Sequence, residues 1–346
     1  MIKNKITSLL LGLFAISLLT ACGDDEPEAI LNTSVFVVNE GNFRAADGSL
    51  STYNIETEQV TQNVYETSGT TQSVTEYAGE LYVVTNATDK LDILNKEAVT
   101  LRATVGDGLV TPISFAAVGN RGFVSCWGEF DDNFNNPDSY LAVIDLTTNT
   151  VTSTIAMGAR TQYVVSQNNK IYAAVVGSNV VKVVDPSSLA VRDITVSDGP
   201  STMVVDAGGD IWVLCTSGSL VQIDTETDEV TGRSLTGLTT AGFNEKVTID
   251  RSRNLLYFLG GGNETFTGQT NVFRVDLSAA TLAAEAFITD GFAFYGVAVN
   301  QDNGEIYVGD SNAFQSTGTG FRYSAEGTLL ADFATGIGPN NFLFTQ

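Results

Sequence analysis

The chain has 346 residues with 40 acidic and 17 basic side chains, giving a formal net charge of −23. This excess of negative charge argues against nucleic acid or anionic lipid as a partner, because the long-range field of the protein repels both. The sequence contains no histidine, which excludes Ser-His-Asp and Cys-His catalytic arrangements and His-based zinc sites. We therefore expect a protein that is not an enzyme.

The N-terminal segment has the features of a processing signal. Lys3 and Lys5 precede an apolar run from Leu9 to Leu19, and the tetrad Leu19-Thr20-Ala21-Cys22 resembles the bacterial lipobox, in which the chain is cut before a lipidated cysteine. The alternative is an uncleaved membrane span, but the apolar run is shorter than the roughly 20 residues that a span needs. We predict a lipoprotein signal peptide over residues 1–21 and a lipid on Cys22.

An acidic stretch follows the lipidated cysteine. Gly23 to Glu28 resembles the export signal that sends some Gram-negative lipoproteins to the outer face of the outer membrane. The alternative is a solvated spacer, and both interpretations predict a flexible tether over residues 22–32. Loss of residues 1–21 removes two lysines and no acid, so the mature charge is 15 − 40 = −25. We expect a lipid-anchored protein exposed at the cell surface, with the lipid as its only membrane contact.

Seven repeats follow the tether. Each is a short apolar segment with an aromatic residue at the same place, and these aromatics are Phe36, Tyr82, Phe123, Tyr172, Trp212, Tyr257 and Tyr307. They stand 46, 41, 49, 40, 45 and 50 residues apart, which is about the period of a four-stranded propeller blade. A β-sandwich or a solenoid is the alternative. The near-constant period favours an all-β, seven-bladed β-propeller over residues 33–346.

The two ends of the repeat region predict how the ring closes. The repeats begin at a second strand, near Val35, whereas the segment Asn341 to Phe344 reads as an innermost strand. Adding that last strand to the first blade removes both sheet edges. Cys126 and Cys215 fall in blades 3 and 5, too far apart for a disulfide, so we predict that both are buried apolar residues.

Long connections gather on one predicted face of the propeller. They are residues 39–48, 127–139, 260–270 and 310–320, and loops longer than the fold requires indicate function. The candidate ligand-binding residues in these loops are Phe43, Arg44, Trp127, Phe130, Phe134, Phe266 and Phe314, and the loops between successive blades on the same face add Arg160, Gln162, Phe294 and Tyr295. The alternative for each ring is packing of its own loop. Trp127 has no aromatic counterpart in the other blades and is the best single candidate, whereas Trp212 is expected in the core.

One of these loops has weak calcium-loop character. Asp131, Asn133 and Asn135 offer oxygen ligands two residues apart, as a calcium loop does. The glycine and the closing glutamate of an EF-hand loop are missing. We therefore favour a hydrogen-bonded loop, and we predict neither a metal nor a resident cofactor.

Both ends of the repeat region resemble a known family. Val35 to Phe43, followed by Gly48 to Tyr53, and the ending Gly338 to Phe344 are similar to YncE-like propeller lipoproteins, often filed as DUF5074. The resemblance covers residues 33–346. Some members, of the BtuG type, bind cobalamin at the cell surface and pass it to a TonB-dependent transporter. The resemblance implies a monomer that captures a large small-molecule nutrient, with cobalamin as the named candidate, for such a transporter.

Two other functions stay open at this point. A protein- or glycan-interaction propeller without a small-molecule pocket would also suit exposed loops rich in Asn, Thr and Phe. A propeller lactonase or quinoprotein is disfavoured because the chain has two tryptophans and no histidine. Fold alone does not decide among these functions.

Overall fold

The chain folds into seven antiparallel sheets of four strands each. The structure is a computed structural model that describes residues 34–133, 135–235, 243–261 and 269–344. The predicted all-β, seven-bladed propeller is confirmed. Within those ranges the one helical segment is a 3₁₀ turn over Asn312–Phe314, and no helix there is long and apolar enough to cross a membrane. The predicted signal peptide, Cys22 and the tether lie outside the described residues.

The strands are numbered in chain order. Blade 1 holds β1 (Ser34–Asn39), β2 (Ser49–Asn54) and β3 (Val60–Glu66), and blade 2 holds β4 (Thr70–Tyr77), β5 (Glu80–Asn86), β6 (Lys90–Asn95) and β7 (Thr100–Val105). Blade 3 holds β8 (Pro112–Val118), β9 (Arg121–Cys126), β10 (Tyr140–Asp145) and β11 (Thr150–Ala156), and blade 4 holds β12 (Thr161–Gln167), β13 (Lys170–Val175), β14 (Val180–Val184) and β15 (Val191–Thr195). Blade 5 holds β16 (Pro200–Val205), β17 (Ile211–Cys215), β18 (Ser219–Ile223) and β19 (Val230–Ser234). Blade 6 holds β20 (Phe243–Asp250), β21 (Leu255–Gly261), β22 (Thr270–Asp276) and β23 (Glu285–Ile288). Blade 7 holds β24 (Phe294–Val299), β25 (Ile306–Asp310), β26 (Thr319–Tyr323) and β27 (Leu329–Ala334), and β28 (Pro339–Phe344) returns to blade 1.

Burial follows position within a blade. The second strand lies between neighbouring strands and neighbouring blades, so β17 is buried at all of its residues, whereas the outermost β11 alternates exposed and half-buried side chains. All seven aromatic anchors are buried, as the repeat pattern predicts. Trp212 belongs to the core, as expected, and its indole donates a hydrogen bond of 2.9 Å to Asp206.

The hydrophobic core is divided among the contacts between adjacent blades. Between blades 2 and 3, Tyr82 stacks on Phe115 with ring centroids 4.3 Å apart. Full burial of one large apolar side chain contributes about 1.5–3 kcal/mol. Because each blade packs on two neighbours in this way, the stability of any blade depends on an unbroken ring.

The ring closes as the sequence predicts. β28 pairs with β1 in antiparallel register, with Val37 opposite Phe342. Phe342 is buried, and its ring lies 5.8 Å from the ring of Tyr307 in blade 7. The last strand therefore joins blade 1 by hydrogen bonds and blade 7 by side-chain packing.

Cys126 and Cys215 are free thiols in β9 and β17, and both are buried, as predicted. Burial raises the pKa of both thiols to about 12. They are therefore uncharged packing groups at neutral pH.

The turns between third and fourth strands share one pattern of side-chain to backbone hydrogen bonds. A side-chain oxygen at the end of the third strand accepts hydrogen bonds from backbone amides two or three residues later, as Asp185 does from Ser187 and Ser188. Blade 1 makes the same bonds with Asn54. One such connection is longer than the others: in blade 6 it runs over residues 277–284, and Leu277 and Leu282 bury their side chains in the core.

These turns predict a pH dependence of stability. Hydrogen bonds within the turns lower the pKa of Asp145, Asp185 and Asp224 below its ordinary value. The ionised carboxylates contribute fully to the free energy of unfolding above the unfolded pKa of about 3.9. This contribution is lost as the pH falls through their lower pKa in the folded protein. Replacing all three with Asn, the residue that blade 1 uses, is expected to reduce the loss of stability between pH 7 and pH 3. Urea unfolding at both pH values measures it.

The control for this experiment removes three charges elsewhere. Glu58→Gln, Glu97→Gln and Glu129→Gln change exposed carboxylates that cap no turn, so the pH dependence should stay close to that of the parent protein. A triple Asn variant with the parent's pH dependence would show that the turn bonds do not carry the effect.

Candidate functional site

Every innermost strand shifts register close to the same end of the propeller. The unpaired residues at these shifts are Gln72, Ile113, Gln162, Ser201, the segment 244–246, Tyr295 and Asn340. A β-bulge re-aims the side chain of its extra residue and is frequent beside functional sites. We call this end the upper face. It carries the connections between second and third strands and those between successive blades, including the predicted loops 39–48, 127–139 and 310–320, whereas residues 262–268 of the fourth lie outside the described residues.

A cavity of about 380 Å³ lies on the propeller axis at these bulges. Every innermost strand contributes to its lining, and Glu40 contributes from the loop after β1. The lining is Glu40, Gln72, Ser73, Val74, Thr75, Ile113, Ser114, Gln162, Tyr163, Thr202, Lys246, Val247, Tyr295, Val297 and Asn341. The volume falls at the lower end of the roughly 300–1,000 Å³ typical of ligand sites.

The charged groups of the cavity are Glu40 and Lys246. The Tyr295 hydroxyl donates a hydrogen bond of 2.5 Å to Oε2 of Glu40, and the amide of Asn340 donates to the same oxygen at 3.5 Å. Nζ of Lys246 lies 5.7 Å from the centroid of the Tyr295 ring, within the range of a cation–π interaction. Tyr295 therefore lies between a carboxylate and an ammonium group.

Several hydroxyls of the lining are already used to join blades. Ser73 donates to the carbonyl of Ile113, and Thr75 donates to that of Phe115. Gln72 and Gln162, by contrast, are half-buried and make no side-chain hydrogen bond to the described residues. Burial raises the pKa of the Tyr163 phenol above its ordinary value, so this phenol is neutral at physiological pH.

A strained turn supports Tyr295. Asn312, Ala313 and Phe314 have φ values of 47, 51 and 59°, a left-handed region that costs residues with a Cβ about 1–2 kcal/mol each. The turn brings the Phe314 ring to 5.0 Å from the Tyr295 ring. It also sets Phe314 against Gly338, where an added Cβ would come within 2.4 Å of the ring. Backbone strain of this kind persists only where the surrounding contacts hold the residues in place, and it is frequent at functional sites.

A second group of predicted residues lies between blades 3 and 4 on the upper face. The guanidinium of Arg160 lies 4.5 Å from the centre of the Trp127 ring, and Phe130 packs edge-on against the same ring at 6.3 Å. Nε of Arg160 donates to Asn136 at 2.9 Å. A groove of about 440 Å³ adjoins this group, lined by residues 135–137, 158–160, 176 and 177.

The other predicted residues have separate positions. Gln162 and Tyr295 line the axial cavity, and Phe314 packs on Tyr295. Phe43 and Arg44 are exposed in the loop after β1. Phe294 is buried in the core that blade 7 shares with blade 6, so its ring packs the fold. Phe134 and Phe266, like Cys22, lie outside the described residues.

The loop considered for calcium satisfies its own carboxylate. Oδ1 of Asp131 accepts backbone hydrogen bonds from Asn133 and Asn135, each of 2.8 Å. The bond from Asn135 is the main cause that lowers the pKa of Asp131. In the described ranges, no group of three or more His, Cys, Asp and Glu side chains could hold a metal ion.

Sequence reasoning missed Glu40, Gln72, Tyr163 and Lys246. A signal for one of them was present: Thr71-Gln72-Ser73-Val74 places Gln72 at the same position of its innermost strand as the candidate Gln162 in Thr161-Gln162-Tyr163-Val164. A glutamine before a buried strand residue carries no sign of a bulge, however. The register of strand pairing is what shows that Gln72 and Gln162 lie at bulges.

Comparison with known proteins gives a family and a fold. The family model described as "Domain of unknown function (DUF5074)" matches residues 33–336. The periplasmic gluconolactonase of Pseudomonas aeruginosa superposes with a TM-score of 0.70 at 15% identity, covering 90% of this chain and 99% of that one. A quinonprotein alcohol dehydrogenase-like protein of Bacteroides thetaiotaomicron gives a TM-score of 0.68 at 14% identity, covering 90% and 78%. No curated protein matches the sequence. At these identities the solved structures share the propeller fold alone.

Proposed function

The chain belongs to the DUF5074 family, and we propose that it is a surface binding protein that captures a small-molecule nutrient in the axial cavity of its upper face. The observation that supports this most is convergence: seven bulged strands turn side chains from all blades toward one cavity. The long connections after β1, β9 and β25 leave from the same end. A few convergent polar groups in a concave site are typical of ligand recognition.

The rim of the upper face supports capture of a ligand larger than the cavity. Phe43, Phe130 and Phe292 are 70, 48 and 56% exposed, and exposed aromatic rings are frequent hot spots of binding. A corrin exceeds a cavity of about 380 Å³. Cobalamin, our named candidate, would therefore lie across the rim and the group formed by Trp127, Phe130 and Arg160, and it would insert one substituent into the axial cavity.

The point at which the chain enters the propeller supports an anchored orientation. Ser34, the first residue of β1, pairs with Asn54 at the lower face, opposite the cavity mouth. Residues 22–33 can span at most about 40 Å when extended. A lipid on Cys22 would thus hold the lower face toward the outer membrane and leave the upper face free for ligand. We further propose that this monomer passes its ligand to a TonB-dependent transporter.

The experiment is calorimetric titration of the chain from residue 23 onward with cyanocobalamin. We expect one-to-one binding, which Trp127→Ala weakens roughly 30-fold, because a hot-spot side chain contributes about 2 kcal/mol. Leu101→Ala, which changes an exposed residue on the outer strand of blade 2, should leave affinity unchanged. Absence of heat, and of coloured protein on gel filtration, would reject cobalamin and turn the search to glycans and protein partners.

The alternative enzyme function is tested on the same preparation. The gluconolactonase of Pseudomonas aeruginosa has a similar fold, so glucono-δ-lactone is the appropriate substrate. We expect the rate of its hydrolysis to equal the rate in buffer. Turnover that Glu40→Gln or Tyr295→Phe abolishes would replace the binding function with catalysis.

A further inference from the structure

We propose that the chemical group the axial cavity accepts is a neutral sugar ring, either a free monosaccharide or the terminal unit of a larger ligand. This inference rests on the proposed capture function, since it concerns the same cavity. It goes further by assigning the class of group that enters, and it follows from the hydrogen-bonding capacity left unused in the lining.

The two glutamines provide the first argument. Gln72 and Gln162 hold equivalent bulge positions in blades 2 and 4, both line the cavity, and neither side chain bonds to the described residues. A primary amide has two donor hydrogens and an acceptor oxygen. A hydroxyl group also donates and accepts, so a ring with several hydroxyls can satisfy both amides at once. A purely apolar ligand would leave them unpaired in a drier environment, at a cost in affinity.

The carboxylate provides the second argument. Oε2 of Glu40 accepts from Tyr295 and Asn340, whereas Oε1 accepts no hydrogen bond from the described residues. An ionised carboxylate is a strong acceptor for a hydroxyl. Glu40 and the overall charge of −23 oppose an anionic ligand, and Lys246 opposes a cationic one. A neutral ligand avoids both penalties.

The aromatic part of the lining provides the third argument. Tyr163 and Tyr295 both border the cavity. Each tyrosine ring can present an apolar face to the C–H groups of a sugar while its hydroxyl remains polar. The volume of about 380 Å³ suits one ring and not a chain of several.

The test uses five sugars on the chain from residue 23 onward. D-glucose, D-galactose and N-acetyl-D-glucosamine are neutral, whereas D-gluconate is an anion and D-glucosamine a cation. Saturation-transfer NMR detects weak binding, and calorimetry gives the affinity. We expect saturable binding of at least one neutral sugar, at least tenfold tighter than either charged compound.

Two variants test whether the amides carry this recognition. Gln72→Leu and Gln162→Leu keep the approximate shape and remove the hydrogen bonds, and each should weaken sugar binding at least tenfold. Because neither amide bonds to the described protein, the melting temperatures should not change. Gln59→Leu, at an exposed position beside the lower turn of blade 1, is the matched control and should bind as the parent does.

The outcomes separate this inference from the capture function. No saturable binding of the three neutral sugars, tighter binding of a charged compound, or sugar binding that both glutamine variants retain would each overturn the sugar-ring proposal. If cyanocobalamin still bound in a Trp127-dependent manner, the capture function would stand without it. Sugar binding that depends on the glutamines, with no binding of cobalamin, would support the sugar ring and reject only the corrin.

Discussion

Deletion of Phe342 to Gln346 is expected to destabilise the entire propeller. The deletion removes the part of β28 that pairs with Val35, Phe36 and Val37, and it removes the buried Phe342 ring between Tyr307 and Phe333. Loss of one such phenylalanine costs about 3–5 kcal/mol, and the unpaired edge of β1 adds to it. Since a domain is stable by only about 5–15 kcal/mol, we expect a large fall in the urea midpoint or no folded protein.

The control for this deletion is a shorter one. Removing only Thr345 and Gln346 leaves β28 complete, and the urea midpoint should stay near that of the parent. A chain without Phe342 to Gln346 that melts at the parent temperature would show that closure through β28 does not hold the ring together.

Gly309→Ala is the single substitution expected to be most destabilising at this closure. Gly309 in β25 faces the start of β28, where an added Cβ would lie 2.3 Å from the carbonyl oxygen of Pro339. At the neighbouring Gly296 an added Cβ would lie 2.6 Å from the backbone of Asn340. Because the obstacle is backbone, the closing strand must move, and we expect a loss of about 3 kcal/mol. Denaturant unfolding monitored by fluorescence measures it.

The same substitution in open space is the matched control. Gly232 lies in β19, an outermost strand, and an added Cβ there would meet no atom within 4 Å. Gly232→Ala should be neutral or slightly stabilising, because alanine loses less conformational freedom on folding than glycine. Equal effects at the two positions would contradict the steric account of the closure.

The fold was predictable because its determinants are local and repeated. A buried aromatic such as Tyr172 or Tyr307 has the same environment in each blade, so an aromatic residue recurs in the sequence with the period of the blades. The hairpin turns are local as well: Asn168 and Asn169 take positive φ of 46 and 56° between β12 and β13, as their residue types favour.

The candidate site was predictable only at the level of which face carries it. Long loops identify the upper face from spacing alone, and Gln162 and Tyr295 were among the candidates in that region. Phe294, one residue before Tyr295, is buried instead, because successive residues of a strand face opposite ways. The bulge between Phe294 and Gly296 leaves Tyr295 unpaired, and Tyr295 is the residue that lines the axial cavity.

The strand repeats, the closing strand, the buried cysteines and the loop-rich face could be predicted, since each depends on residue type within one short segment. The shared cavity of Glu40, Gln72, Gln162, Lys246 and Tyr295 could not be predicted in this way. These residues come from five different blades, as far apart as Glu40 and Tyr295. Four of them lie at bulges of innermost strands, and these bulges are consequences of strand pairing that no local pattern encodes.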